Sequence, residues 1–178
     1  MHETVILSAT DHSWATFEQD WRDQSVKAGE PFEDDESSSF AILRDIVSGA
    51  LPSVRPARHS GVVAFKSAED GRFHAACMFN HAHLPGDDGP TLRVRHLIVS
   101  PLLDYGKLGT DFYAGVLIDA VLGIVQLSET PFVANVIKFH VRSPEDVVFF
   151  RAFGSALNGQ KVFASVRSAG AWLYITKS

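Results

Sequence analysis

The chain has 178 residues, 46% of them hydrophobic, and 21 Asp+Glu against 16 Lys+Arg give it a formal charge of −5. A chain of this length buries roughly 70% of its unfolded surface, and 13 Phe supply material for an interior; a disordered tail is excluded and one domain over residues 1–178 is predicted. The charge has the wrong sign for neutralising phosphates, so no nucleic-acid partner is expected.

The lone cysteine, Cys77, lies in the apolar run 75–79. Neither a disulfide framework nor a thiolate zinc cluster is expected, and a reducing compartment suffices. Met1-His2-Glu3-Thr4 lacks the basic patch and apolar stretch of a secretion signal, which predicts a cytoplasmic protein. Residues 112–127, the most apolar segment, fall short of the roughly 20 residues a membrane span needs and carry Asp119 near their centre. A helix covered over most of its circumference is predicted there, with no membrane partner.

In chain order, residues 5–8 read as a strand, and Trp14, Phe17 and Trp21 mark a helical face after the candidate caps Thr10 and Asp11. The acidic segment Glu33-Asp34-Asp35-Glu36 precedes a second helical face, Phe40, Leu43, Ile46, Val47 and Ala50, stopped by Gly49 and Pro52. Residues 62–65 and 73–79 then flank Asp70-Gly71, whose glycine supplies the positive φ of a hairpin turn. After the turn cluster 85–90, arginines and aliphatics alternate over residues 91–100 at the period of a third central strand.

Residues 101–109 form a connector, and Thr110 or Asp111 caps the long apolar helix. Residues 133–141 read as a mostly buried strand. Ser143-Pro144-Glu145-Asp146 opens a helix with a cap, a proline at the first helical position and acids in the first turn; Val147, Phe150 and Phe153 line it, and Gly154 stops it. A final hairpin joins residues 162–166 to 172–175 across Ser168-Ala169-Gly170.

The fold class is α/β (α+β), a mixed, mostly antiparallel sheet flanked by helices in the order β-α-α-β-β-β-α-β-α-β-β. This order is similar to that of the GNAT superfamily of N-acyltransferases. Leu97-Ile98-Val99-Ser100-Pro101 resembles the end of the family's fourth strand, and Phe149-Phe150-Arg151-Ala152-Phe153-Gly154 resembles the helix after its fifth. The resemblance implies acyl-CoA-dependent transfer, with acetyl-CoA or another acyl-CoA as co-substrate, onto a small-molecule or peptide amine. It places Leu97 and Val99 against pantetheine and brings Gly106, Lys107, Gly109 and Thr110 to the pyrophosphate, where backbone N–H groups at a helix start receive anions.

The chain departs from the family in that loop and at the proton-transfer positions. Asp104-Tyr105-Gly106-Lys107-Leu108-Gly109 spaces its glycines three apart and puts an acid where a basic or amide residue is usual. The family's strand-four glutamate corresponds to Arg93 and its tyrosine to Phe150, and neither transfers a proton. Proximity alone catalyses acyl transfer when the amine arrives neutral. The alternative is a catalytically silent module of the same fold that binds CoA or another ligand in regulation or assembly. A homodimer is compatible with either.

Other residue patterns carry two readings each. His96 is a candidate base if a bulge turns it into the cleft, and otherwise a structural hydrogen-bonding group. Arg93 and Arg95 share a strand face, where their repulsion calls for salt bridges to the acidic loops or for an anionic substrate group. His81 and His83, with His74 and Asp87-Asp88, read as a polar strand end rather than a metal centre, so no metal is expected. Asp11-His12-Ser13 holds the residue types of a hydrolase triad on a segment too short to adopt its geometry. Ser143 is a helix cap, and Phe112, Tyr113, Trp14 and Trp21 are core. The acidic run 33–36 is either a solvated loop or an attractor of cationic amines.

Overall fold

The computed structural model describes residues 1–32, 38–50, 59–84, 86, 89–141, 144–158 and 163–178, and of residues 144–146 and 158 the backbone alone. Strands β1 (His2–Leu7), β2 (His59–Ser67), β3 (Phe73–His83), β4 (Pro90–Val99), β5 (Val136–His140), β6 (Phe163–Ala169) and β7 (Trp172–Lys177) form one sheet in the order β1-β2-β3-β4-β5-β7-β6. The β4–β5 pair is parallel, whereas β1–β2, β5–β7 and β6–β7 are antiparallel. Helices α1 (Ser13–Ala28), α2 (Ser39–Ser48), α3 (Pro101–Asp104), α4 (Thr110–Leu127) and α5 (Pro144–Asn158) complete the order read from the sequence, with α3 as the addition.

The packing divides into two compact units, the first from Met1–Pro52, Gly61–Met78 and Ile98–Ile124, the second from Ser53–Ser60, Phe79–Leu97 and Val125–Ser178. In the first, the helical spacing of Trp14, Phe17 and Trp21 puts their rings on one face of α1. Phe17 lies 4.6 Å from Trp21 between ring centroids and meets Phe73 edge-on at 5.5 Å. Phe40 and Leu43 of α2 join this cluster with Val62, Ala64 and Ala76. The Trp21 indole N–H donates to the Phe73 carbonyl at 2.8 Å, which satisfies both groups away from water.

The caps differ in part from expectation. Ser38 caps α2 by accepting from the Ala41 N–H at 3.0 Å, and Gly49 ends it with φ 75°. At α1 the preceding residue is His12, in the left-handed region at φ 64°, while Asp11 accepts from the Ser13 N–H and hydroxyl in a local turn. Neither Thr10 nor Asp11 is the cap.

On α4, Val116, Leu117, Ala120, Val121 and Ile124 are buried, but Ile118 and Leu122 are 37% and 46% exposed. The expected near-complete covering is therefore corrected: one apolar stripe faces out. By length and composition alone the 18 residues, at mean hydropathy 1.5, are sufficient to cross a membrane, and the core face of a packed helix has the same composition. Gly123 approaches Phe65 and Thr4 so closely that a Cβ would lie 2.8 Å from the Phe65 ring.

In the second unit, Leu92, Val94, Ile137, Phe139, Leu173 and Ile175 alternate along β4, β5 and β7 onto one buried face. Helix α5 continues through Gly154 to Asn158, which corrects the expected stop. The glycine's role is close approach, since a Cβ there would lie 2.8 Å from Leu173 Cδ1. Strand β5 is shorter than read, because the Ala134 and Asn135 N–H groups bond to the Ser128 and Pro90 carbonyls before the ladder begins.

Candidate functional site

Within the second unit the parallel ladder between β4 and β5 runs from Thr91↔Val136 to Val94↔Phe139 and stops there, whereas β4 continues to Val99. His96, two residues past the last paired one, Val94, has φ 49°. A left-handed φ at a non-glycine residue disrupts the pleat locally. Leu97 and Val99 are half-buried beyond it.

In the first unit the same strand passes into a tight connection. The Ser100 N–H donates to the His74 carbonyl at 2.9 Å, its hydroxyl is buried without a hydrogen-bond partner, and Pro101 takes the first position of α3. The end of α3 is closed by the loop itself. Gly106, at φ 65°, donates its N–H to the Leu103 carbonyl, and Lys107 donates to Leu102, both at 3.0 Å. These are two of the donors assigned to a pyrophosphate, and both are engaged.

Helix α4 follows. Its first internal bond runs from the Tyr113 N–H to the Gly109 carbonyl, so the N–H groups of Thr110, Asp111 and Phe112 have no acceptor inside the helix. Gly109 and Thr110 are exposed, and space is open around Gly109. The donors available to an anion are thus shifted into the helix, and the acids Asp104 and Asp111 flank them.

The two proton-transfer positions are structural. Arg93 donates from Nη2 to Asn80 Oδ1 at 3.1 Å and sits opposite Lys138 in the ladder. Phe150, 3% exposed, stacks on Phe139 at 6.0 Å and belongs to the core. Ser143 lies outside the described residues, as do the acidic run 33–36 and Asp87-Asp88.

The histidines separate by partner. His81 Nε2 donates to the Val133 carbonyl at 2.9 Å, while His74 bonds to His2; among the described residues no group of three His, Cys, Asp or Glu side chains is placed to hold a metal ion. His74 belongs to a chain of contacts that sequence reading missed. Asp119 Oδ2 lies 2.8 Å from His2 Nδ1, His2 Nε2 2.8 Å from His74 Nδ1, and His74 Nε2 3.5 Å from Asp70 Oδ2. Burial holds the His74 imidazole below its ordinary value, against the opposing pull of Asp70. No spacing rule links residues 2, 74 and 119, which come together through sheet pairing and the packing of α4.

A second set of residues was only half visible. The ladders align Arg93 with Lys138, Lys138 with Tyr174, and Tyr174 with Arg167, which puts all of them in one row on one sheet face. The Arg167 guanidinium lies 4.1 Å and the Lys138 ammonium 5.3 Å from the Tyr174 ring centroid. One step along the strands, Arg95 sits 5.4 Å over the Trp172 ring, which also meets His140 at 4.6 Å.

No family model and no curated protein matches the chain. Among the solved structures similar to it are two acetyltransferase-type proteins. One is a tandem GNAT protein from the clavulanic acid biosynthesis pathway, at 22% identity and TM-score 0.44 over 86% of this chain; the chain spans only 43% of that protein's length. The other is a predicted acetyltransferase from Clostridium acetobutylicum solved with acetyl-CoA, at 11% identity and TM-score 0.42, covering 86% of this chain and 89% of that one.

Proposed function

We propose that the chain is an acyl-CoA-dependent N-acyltransferase acting on an amine, with acetyl-CoA or another acyl-CoA as co-substrate, in a reducing, cytoplasmic setting. The observation that carries this reading is the continuous segment from Arg95 to Thr110: a strand that runs on past the end of its parallel partner, a left-handed residue at His96, and a long helix start soon after. Backbone groups at Leu97 and Val99 suit the amides of pantetheine, and the first-turn N–H groups of α4 suit phosphate oxygens. Gly109 lets a phosphate come close to the backbone, and Thr110 adds a hydroxyl. His96 is the candidate base for the proton that the amine loses when its nitrogen joins the acyl carbon and the carbon–sulfur bond breaks.

A silent, ligand-binding module is the second reading, and it has its own support. The Gly106 and Lys107 donors are spent on closing α3, and Phe150 is core. Calorimetric titration with CoA and acetyl-CoA, paired with an acyl-transfer assay on a panel of amines, separates the two. Transfer that drops at least tenfold in His96→Asn, a residue that tolerates left-handed φ, supports the enzyme; binding without transfer supports the silent module; no binding overturns both. Asp104→Arg replaces a repulsive charge with an attractive one, so it is expected to tighten CoA binding and make it more salt-sensitive. Unchanged affinity would remove this loop from phosphate binding.

A further inference from the structure

We propose that the outer face of β4, β5, β7 and β6 is an anion site, and that it holds the carboxylate or phosphate group of a small acid-bearing amine, the acceptor in the transfer reaction proposed above, on which the acceptor's role rests. The argument begins with register. Arg93, Lys138, Tyr174 and Arg167 occupy one row across four strands, and neighbouring strands lie only about 4.8 Å apart. Like charges directly opposite one another destabilise a sheet, and Arg93 opposite Lys138 is such a pair. Arg95, on the next row, adds to the same field.

The row is built rather than loose. Tyr174 carries a cation on either side, Lys138 and Arg167, and Trp172 carries Arg95, so aromatic rings hold the charges in position. Among the described residues neither Arg95 nor Arg167 has a carboxylate partner, and the Arg95 Nε is buried without a hydrogen-bond acceptor. Glu129 lines the same groove, and its carboxylate is 2.8 Å from the Lys177 ammonium, which it neutralises. In a chain of net charge −5 the face is a local reversal of sign.

The face also has a concavity. Lys138, Arg167, Lys177 and Tyr174, together with Glu129 and Ser178, line an open groove of about 620 Å³, within the usual size of a small-molecule site. Thr176 and Asn135 add neutral hydrogen-bonding groups to it. A groove of this volume with cations beside a ring favours a small anion over a polymer. The Arg95 row lies one step of about 7 Å from it, towards the point where β4 leaves β5. β4 runs on from that row to His96, which suits an acceptor that carries acid and amine together.

The test uses the full chain and needs no activity. Inorganic phosphate and, separately, glutarate are titrated while the Trp172 and Tyr174 region is followed by NMR shifts, for the parent, Lys138→Gln, Arg167→Gln and Tyr174→Phe. Saturable binding of either probe that weakens at least about fivefold in both cation variants, while Tyr174→Phe keeps it, supports the site, and the better probe tells phosphate from carboxylate. Equal shifts in parent and variants, or a twelve-nucleotide single strand binding at least tenfold tighter than phosphate, would overturn it. Calorimetry with CoA and transfer assays on acid-bearing and neutral amines run alongside. Anion binding without any transfer would leave the site standing and sink the transferase reading. Transfer that ignores the acid group and survives both variants would sink the site and spare the enzyme.

Discussion

Helix α4 contains glycines in opposite circumstances, and replacing each by alanine tests how closely the helix approaches the strands beneath it. Alanine improves helix propensity by up to about 1 kcal/mol at either position. At Gly115, where nothing lies within 4 Å of the added methyl, that gain stands alone. At Gly123 the methyl would lie 2.8 Å from Phe65 Cε1 and 3.3 Å from Cδ1, and closer still to Thr4 Oγ1; Phe65 is fully buried and has little room to yield. Overpacking of this kind costs about 1–3 kcal/mol, so Gly123→Ala is expected to come out destabilised by about 1 kcal/mol, against a stabilised Gly115→Ala. With a urea m-value of about 2 kcal/mol per M, the two unfolding midpoints should differ by about 0.5–1.5 M. Adding Thr4→Ala to Gly123→Ala should recover part of the loss, since it removes the nearest atom and leaves the ring. Coincident midpoints for the two glycine variants would refute the close approach of α4 to β1 and β2.

Acidification should weaken the fold through His74: its imidazole titrates below the ordinary value, so near and below that value the unfolded chain takes up a proton that the folded chain resists, and stability falls as pH falls. The urea midpoint is expected to drop between pH 7.5 and 5.5, and the drop should be smaller in His74→Gln, with His2, Asp70, Asp20 and Arg72 still facing the site. Cys77 is fully buried and its thiol is pushed far up by desolvation, so a thiol reagent at pH 8 should label it only after denaturation; labelling of the native protein within minutes would contradict its burial. Trp21→Phe removes the indole donor to the Phe73 carbonyl but leaves the Gln24 side chain bonded to it, for an expected loss of about 1–2 kcal/mol by urea titration.

The elements that rest on local chemistry were legible in the sequence. Trp14, Phe17 and Trp21 lie on one buried helix face, Asp70-Gly71 turns a hairpin with Gly71 at φ 72°, and Pro144 opens α5. Gly154 was misread because propensity sees an interior glycine as a stop, whereas the packing of α5 on Leu173 requires one. Helix α3 was missed because four residues are too few to show a helical period. At the candidate site, the glycines of the loop were visible, but the spending of the Gly106 and Lys107 N–H groups on α3 depends on the fold of the backbone. The alternation of Arg93 and Arg95 could be read directly; their alignment with Lys138, Tyr174 and Arg167 arises from strand register, which no segment states by itself.

The position of β7 has a consequence for how the protein is made. It lies between β5 and β6 in the sheet but follows both in the chain. A ribosome therefore delivers β5 and β6 before the strand that joins them, and during that interval the β5 edge opposite β4 presents unpaired backbone groups. The gap closes only when β7 is available, with antiparallel ladders on both its sides, from Val136↔Thr176 to His140↔Trp172 on one and from Phe163↔Lys177 to Ala169↔Trp172 on the other. Stalling or truncation before Trp172 would leave that edge open to a strand from another nascent copy, so incomplete chains are the species from which aggregation should start.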